Sequence, residues 1–235
     1  MKYSLIIIIL LLSISVISSA AEKIEETPHY DVVVEYIRSL GAMYNLQQTS
    51  IMELQKNNNA DNPDIRKMMT AIRNSTRVKL ELSYSIAVLN NMKLNKPFDT
   101  LLPSTIYFYK QKVELHNEII AISKMFLDQR PKPGVDYTKM VARMPEITAS
   151  LEYLDESIFH SMPLVFALLI DMKPDSKGHV SHLNITKAQK QKLIDNINGL
   201  FGESLDKKNK NWTVSSAALL KAYLLKDYKC TDEWQ

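Results

Sequence analysis

The stretch Ser104-Thr-Ile-Tyr-Phe-Tyr-Lys-Gln-Lys-Val-Glu-Leu-His-Asn-Glu-Ile-Ile-Ala-Ile-Ser-Lys-Met-Phe-Leu127 decides the fold. Its apolar residues fall into two adjacent stripes, Ile106, Tyr109, Val113 and Ile120 beside Leu115, Ile119, Ile122 and Phe126. Residues three and four apart share one side of a helix, so the stripes merge into an apolar face wider than a surface helix needs. Such a face is predicted to sit at the centre of a bundle, covered from more than one side. The whole chain agrees: 235 residues, 46% hydrophobic and 23% charged, exclude a disordered tail or a fibrous repeat. Only 5 glycines occur, which disfavours folds rich in glycine turns and phosphate loops.

Upstream of this helix, Asn95 to Pro103 carries two prolines and is predicted as a loop. Before it, Asn62 followed by Pro63 supplies an N-cap with proline at the first helical position. That helix runs toward Asn91, with Ile65, Met68, Met69 and Ile72 early and Val78, Leu82, Ile86 and Leu89 later. Its stripe drifts around the axis, so it touches more than one neighbour. Asn57 to Asp61 is a polar break. The first helix, from Tyr30 to about Lys56, presents Val33, Tyr36, Ile37, Leu40, Tyr44, Ile51 and Leu54.

Downstream, Arg130-Pro131-Lys132-Pro133-Gly134 stops the central helix. The next helical region, from about Asp136 to Met172, contains Pro145 and Pro163 and is predicted to kink or divide into short helices. Its segment from Pro163 to Ile170 is apolar all round, too short to cross a membrane, and reads as buried core. Lys173 to Asn184 is a polar turn, after which Thr186 and Gln189 form a capping box. The helix it opens carries Leu193, Ile194, Ile197, Leu200 and Phe201 and can close at Gly202, and a last helix from about Thr213 to Lys229 carries Val214, Ala217, Ala218, Leu220, Leu224 and Leu225. Only Val180 to Ile185 reads as a stretch able to pair, as a small hairpin. The prediction is all-α: an irregular bundle of about six helices, some proline-kinked, forming a single domain over residues 21–235. Core helices occupy about 30–172 and a C-terminal helical pair about 186–229.

Residues 1–20 are expected to be a secretory signal peptide. Lys2 gives the positive start, Leu5 to Ile17 the apolar run, and Ser18 and Ala20 the small residues of a cleavage site after Ala20. The apolar run is shorter than the roughly 20 residues that span a bilayer, so no transmembrane segment is expected in the processed chain. Without Lys2 the cations fall from 29 to 28 against 26 acidic residues, a balance that gives no argument for nucleic acid or anionic lipid. The clusters Lys207, Lys208, Lys210 and Lys187, Lys190, Lys192 read as solvated surface. A single cysteine, Cys230, leaves no disulfide within the chain, so stability must come from the core. Cys230 itself reads as a solvent-accessible bystander near a frayed terminus.

No glycine-rich phosphate loop, serine elbow, His-Glu-x-x-His or paired-cysteine signature occurs. The best metal candidate is Asp175, His179 and His182, two imidazoles and a carboxylate within one polar turn; the plainer reading makes them polar surface. Glu152, Glu156 and His160 share a helix face, yet no second such motif completes a carboxylate centre. His116 lies at the edge of an apolar face, and His29 falls in the N-terminal lead. Asn74, Asn184 and Asn211 each begin a glycosylation acceptor pattern, two of them at helix starts where a capping role already accounts for them. Met68, Met69, Met125, Met140, Met144, Met162 and Met172 lie in or beside core faces and read as core filling.

The expectation is an exported helical protein that works by binding another envelope or extracellular protein, or a small apolar ligand held between helices. The runner-up is an unrecognised metal-assisted enzyme, or a metal-binding protein, using the Asp175, His179 and His182 turn. A peripheral membrane role ranks lower, because no helix joins a basic face to a large apolar one.

Overall fold

The computed structural model describes residues 28–57, 63–94, 98–129, 138–160, 162–170, 176–206 and 211–234. The expected signal peptide, Asp175, and the Lys207, Lys208 and Lys210 cluster lie outside them. Among the described residues there are seven α-helices: α1 (His29–Asn57), α2 (Pro63–Asn90), α3 (Leu101–Gln129), α4 (Thr138–His160), α5 (Met162–Leu169), α6 (Lys187–Phe201) and α7 (Trp212–Leu224). The architecture is the all-α multi-helix bundle that the apolar periodicity predicts. No described helix is long and apolar enough to cross a membrane.

Two of the prolines find places where a missing N–H costs little. Pro103 lies in the first turn of α3, which begins at Leu101, and Pro163 is the second residue of α5. At both positions the N–H would lack an intrahelical partner anyway. Pro145 lies inside α4, which continues past it, and the division falls later, between His160 and Met162. The Thr186 capping box is present: the Gln189 N–H donates to Thr186 Oγ1 at 3.2 Å and the Thr186 N–H to Gln189 Oε1 at 2.9 Å. Gly202 closes α6 with a φ of 51°, a backbone setting that favours glycine.

The tightest part of the core joins the first half of α1 to α5, α6 and α7. Val33, Ile37, Leu168, Leu169, Leu193, Ile197, Leu220 and Leu224 are all but sealed from solvent. Gly41 lets α6 approach α1, since a Cβ there would lie 2.8 Å from the Leu200 methyls. The helix predicted to be central, α3, instead packs mainly between α2 and α4. Of its apolar stripes only Tyr109 is fully buried, while Ile106, Val113, Leu115 and Ile120 stay half-buried. The reason lies in the middle of that face, where polar side chains border open space. The last turns of α1 also depart from expectation: Ile51 is 49% exposed, because there the chain runs beside α2, with Glu53 paired to Arg73 and Arg77.

Helix α7 ends at Leu224, earlier than its apolar pattern suggests, and the chain turns back as an extended tail. The predicted hairpin within 180–185 does not form. His182 pairs instead with Lys229 in a parallel bridge. Leu183 N donates to Lys229 O at 2.8 Å, Lys229 N to Ser181 O at 3.0 Å and Thr231 N to Ile185 O at 3.0 Å. Alternation puts Leu183 and Ile185 on the same, core-facing side, and both are buried. The same pairing overturns the reading of Cys230, which is 1% exposed in a terminus held by hydrogen bonds. His29 likewise belongs to α1 rather than to a loose lead, with its Nδ1 3.0 Å from the Leu168 carbonyl.

Candidate functional site

Lys112 follows Tyr109 by three residues and precedes His116 by four, so all three project from one face of α3. Lys112 is only 5% exposed. Its ammonium meets Asp155 of α4, with Nζ 2.5 Å from Oδ1, and lies 4.9 Å from the centre of the Trp212 ring at the start of α7. A cation over an aromatic face gains from the ring quadrupole while it loses water. One turn along α3, His116 Nδ1 is 3.3 Å from the buried Ser75 hydroxyl of α2.

Trp212 is positioned by the residue before it. Asn211 caps α7, its Oδ1 accepting from the Thr213 N–H at 3.0 Å, and its Nδ2 donates to Gln47 Oε1 of α1 at 2.6 Å. These contacts surround a cleft of about 430 Å³ to which α1, α2, α3, α4 and α7 all contribute. Its apolar wall comes from Met43, Leu46, Val78 and Leu151. The volume lies within the roughly 300–1,000 Å³ range of small-molecule sites, and the lining has their usual form of apolar walls with a few converging polar groups.

Burial sets the protonation states. Loss of water raises the Asp155 carboxyl above its ordinary value, with Lys112 pulling the other way. His116 is held down at about 4, first by burial and then by the Lys112 charge, so it is neutral near pH 7. A base that weak takes a proton poorly from a serine hydroxyl, and the Ser75–His116 contact suits holding a molecule rather than breaking one.

A second polar seam lies between α1 and α2. Arg38 bridges Glu35 and Glu81, with Nε 2.8 Å from Glu35 Oε2 and Nη2 3.0 Å from Ser85 Oγ. Burial pushes the nearby Tyr109 hydroxyl up to about 12. The void beside this seam measures about 60 Å³, well below the usual range of small-molecule sites. On the outside, Tyr107 of α3 and Tyr153 of α4 flank a groove of about 590 Å³ and are themselves exposed.

The predicted candidates fare differently. His179 is exposed, and His182 sits with Nδ1 3.0 Å from Ser181 Oγ and its ring edge-on to Trp234. Their proposed co-ligand Asp175 lies outside the described residues. Glu152 is exposed, and the side chains of Glu156 and His160 lie outside the description. Among the described residues one group has metal-ligating atoms close together, Cys230, Asp232 and Glu233. Its oxygens are already engaged: Glu233 accepts from the Cys230 N–H at 3.0 Å and from Lys187 Nζ, and Asp232 accepts from the Lys187 N–H at 3.0 Å. Of the three sequons, Asn184 is exposed, Asn211 is committed as a cap and Asn74 lines the cleft. Lys112, Asp155 and Trp212 were not singled out by the sequence. No protein-family model, no curated protein and no solved structure matches the chain.

Proposed function

We propose that the protein is an exported helical binding protein that holds a small molecule in the cleft between α1, α2, α3, α4 and α7. The observation that carries this reading is the 430 Å³ cleft itself, built by five helices around a buried Lys112–Asp155 pair. The leader-like pattern of residues 1–20 supports export. In the cleft, a neutral His116 beside the Ser75 hydroxyl favours binding over catalysis. Native mass spectrometry of protein recovered from its own host tests the proposal. A one-to-one adduct that is lost on unfolding is the expected result, and bare protein in every preparation overturns it.

A second reading, attachment to another envelope or extracellular protein, draws on the exposed groove between Tyr107 and Tyr153. A Tyr107→Ser/Tyr153→Ser double variant is expected to lose a stoichiometric partner recovered with the wild type, and unchanged recovery removes this reading.

A further inference from the structure

The charges lining the cleft limit what it can hold. Lys112 and Asp155 already satisfy each other at 2.5 Å, and among the cleft's lining residues they are the only lysine, arginine or carboxylate side chains. His116 adds no charge near neutral pH. An incoming anion would have to share Lys112 with Asp155 and so meet a like charge, or displace it and leave that carboxylate half-buried without its partner, and an incoming cation meets the mirror problem at Lys112. Breaking a buried pair by removing one partner is strongly unfavourable.

Uncompensated hydrogen-bonding groups remain. Trp212 Nε1 is buried and meets no acceptor in full hydrogen-bond geometry, with only a loosely aligned hydrogen bond toward the Asp155 carboxylate. His116 spends one ring nitrogen on Ser75 and leaves Nε2 unbonded. Asn74 and Ser50 border the same space and make no side-chain hydrogen bond among the described residues. A buried donor without an acceptor costs free energy that a ligand atom can recover.

We infer that the cleft binds an uncharged amphipathic molecule, an apolar body carrying a hydroxyl or carbonyl group that engages Trp212, His116 and Asn74. The inference rests on the binding reading above and adds the chemical class. Charge neutrality excludes carboxylates and ammonium ions, the apolar walls require a hydrocarbon or aromatic body, and the open donors and acceptors require a polar end.

The test is calorimetric titration of the full processed chain with four probes: 2-naphthol, 2-naphthoate, 2-naphthylmethylammonium and zwitterionic phenylalanine. The expected result is saturable binding of one 2-naphthol, at least about tenfold tighter than any charged probe, a difference well within titration accuracy. Ser50→Trp, which fills the cleft from α1, is expected to weaken 2-naphthol at least about tenfold, and Leu151→Trp supplies the same arm from α4 if the first variant does not fold. Tighter binding of the anion, the cation or phenylalanine overturns the uncharged class while leaving a small-molecule site in place. Naphthol affinity unchanged in a folded filled variant overturns the assignment to this cleft. Binding of none of the four overturns the inference and the binding reading together.

Discussion

Replacing Asp155 with asparagine keeps the shape of the side chain and removes its charge, so it isolates what the Lys112 pair does for stability. Lys112 is left buried, its side chain 6% exposed against 20% for Asp155. Breaking a buried ion pair from one side costs about 3–5 kcal/mol. Two features pull toward the lower end: Asp155 retains some contact with water, and Lys112 keeps the Trp212 face, a contact worth about 0.5–2 kcal/mol. The expected loss is therefore about 3 kcal/mol, equivalent to roughly 6–12 °C in melting temperature for a chain of this size. Lys112→Met/Asp155→Leu removes both charges together, and hydrophobic replacement of a buried pair is often neutral or stabilising. The double variant is expected within about 1 kcal/mol of the wild type, against the larger cost of either single change.

Urea unfolding followed by far-ultraviolet circular dichroism measures the wild type, Asp155→Asn, the singles Lys112→Met and Asp155→Leu, and their double variant, with equal slopes required before the midpoints are compared. If Asp155→Asn costs less than about 1 kcal/mol, or if the double variant costs the sum of the singles, the pair is not the coupled buried unit described here.

Three further outcomes follow from other parts of the molecule. His116 sits at about 4 when folded and near 6.5 when unfolded, so between these values the unfolded chain binds more protons and stability falls as the pH drops, by at most about 3 kcal/mol. Asp155, raised in the folded state, has the opposite sign, because its folded form takes up a proton first as the pH falls. Comparing wild type with His116→Gln from pH 7.5 to 4.5 isolates the histidine contribution, and identical pH profiles refute it. Gly41→Ala is expected to be nearly neutral, since helix propensity gained offsets movement of the half-buried Leu200, whereas Gly41→Val, with more volume against the same methyls, is expected to lose about 1–3 kcal/mol. Thermal unfolding of both variants checks the order. The buried Cys230 thiol, pushed above its ordinary value chiefly by burial, is expected to resist a disulfide reagent in native buffer and to react in denaturant; fast native labelling contradicts the buried tail.

Helix existence was legible because it depends on local spacing and capping. Thr186 with Gln189, and Asn62 before Pro63, mark boundaries that need no tertiary information. What decides burial is contributed by the partner: Ile51 and Leu54 obey the same periodicity as Val33 and Ile37, yet the first half of α1 is buried in the core and its last turns are exposed. The tail was misread for a related reason. Leu225 to Cys230 carries no strand signal beyond a few apolar residues, and its pairing with 181–185 joins segments more than forty residues apart. The site was the least legible part, since Lys112, Asp155 and Trp212 lie on three helices and each alone is commonplace. The one available hint is Lys112 itself, a lysine between Tyr109 and Val113 within the broad apolar face, where a long stem can also be read as reaching out to water.

That placement bears on why a polar group persists where an apolar one would be at least as stable. Two merged stripes on α3 satisfy apolar contact at more than one rotation of the helix about its axis, so greasy packing alone specifies its setting weakly. Lys112 reaching Asp155 and the Trp212 ring fixes α3 against α4 and α7, and the Gln47–Asn211 hydrogen bond fixes α7 against α1. Directional contacts are lost on rotation in a way that dispersion contacts are not. We therefore expect Lys112→Met/Asp155→Leu to keep its unfolding free energy and helix content but to lose definition around the cleft. In a methyl-labelled nuclear magnetic resonance spectrum, Met43, Leu46, Val78 and Leu151 are expected to broaden or double, while Leu193, Ile197 and Leu220, in the α6–α7 core, remain sharp. Sharp single resonances for the cleft methyls in a stable double variant would show that α3 is oriented by its apolar packing alone, and the ion pair would then need a reason other than specificity.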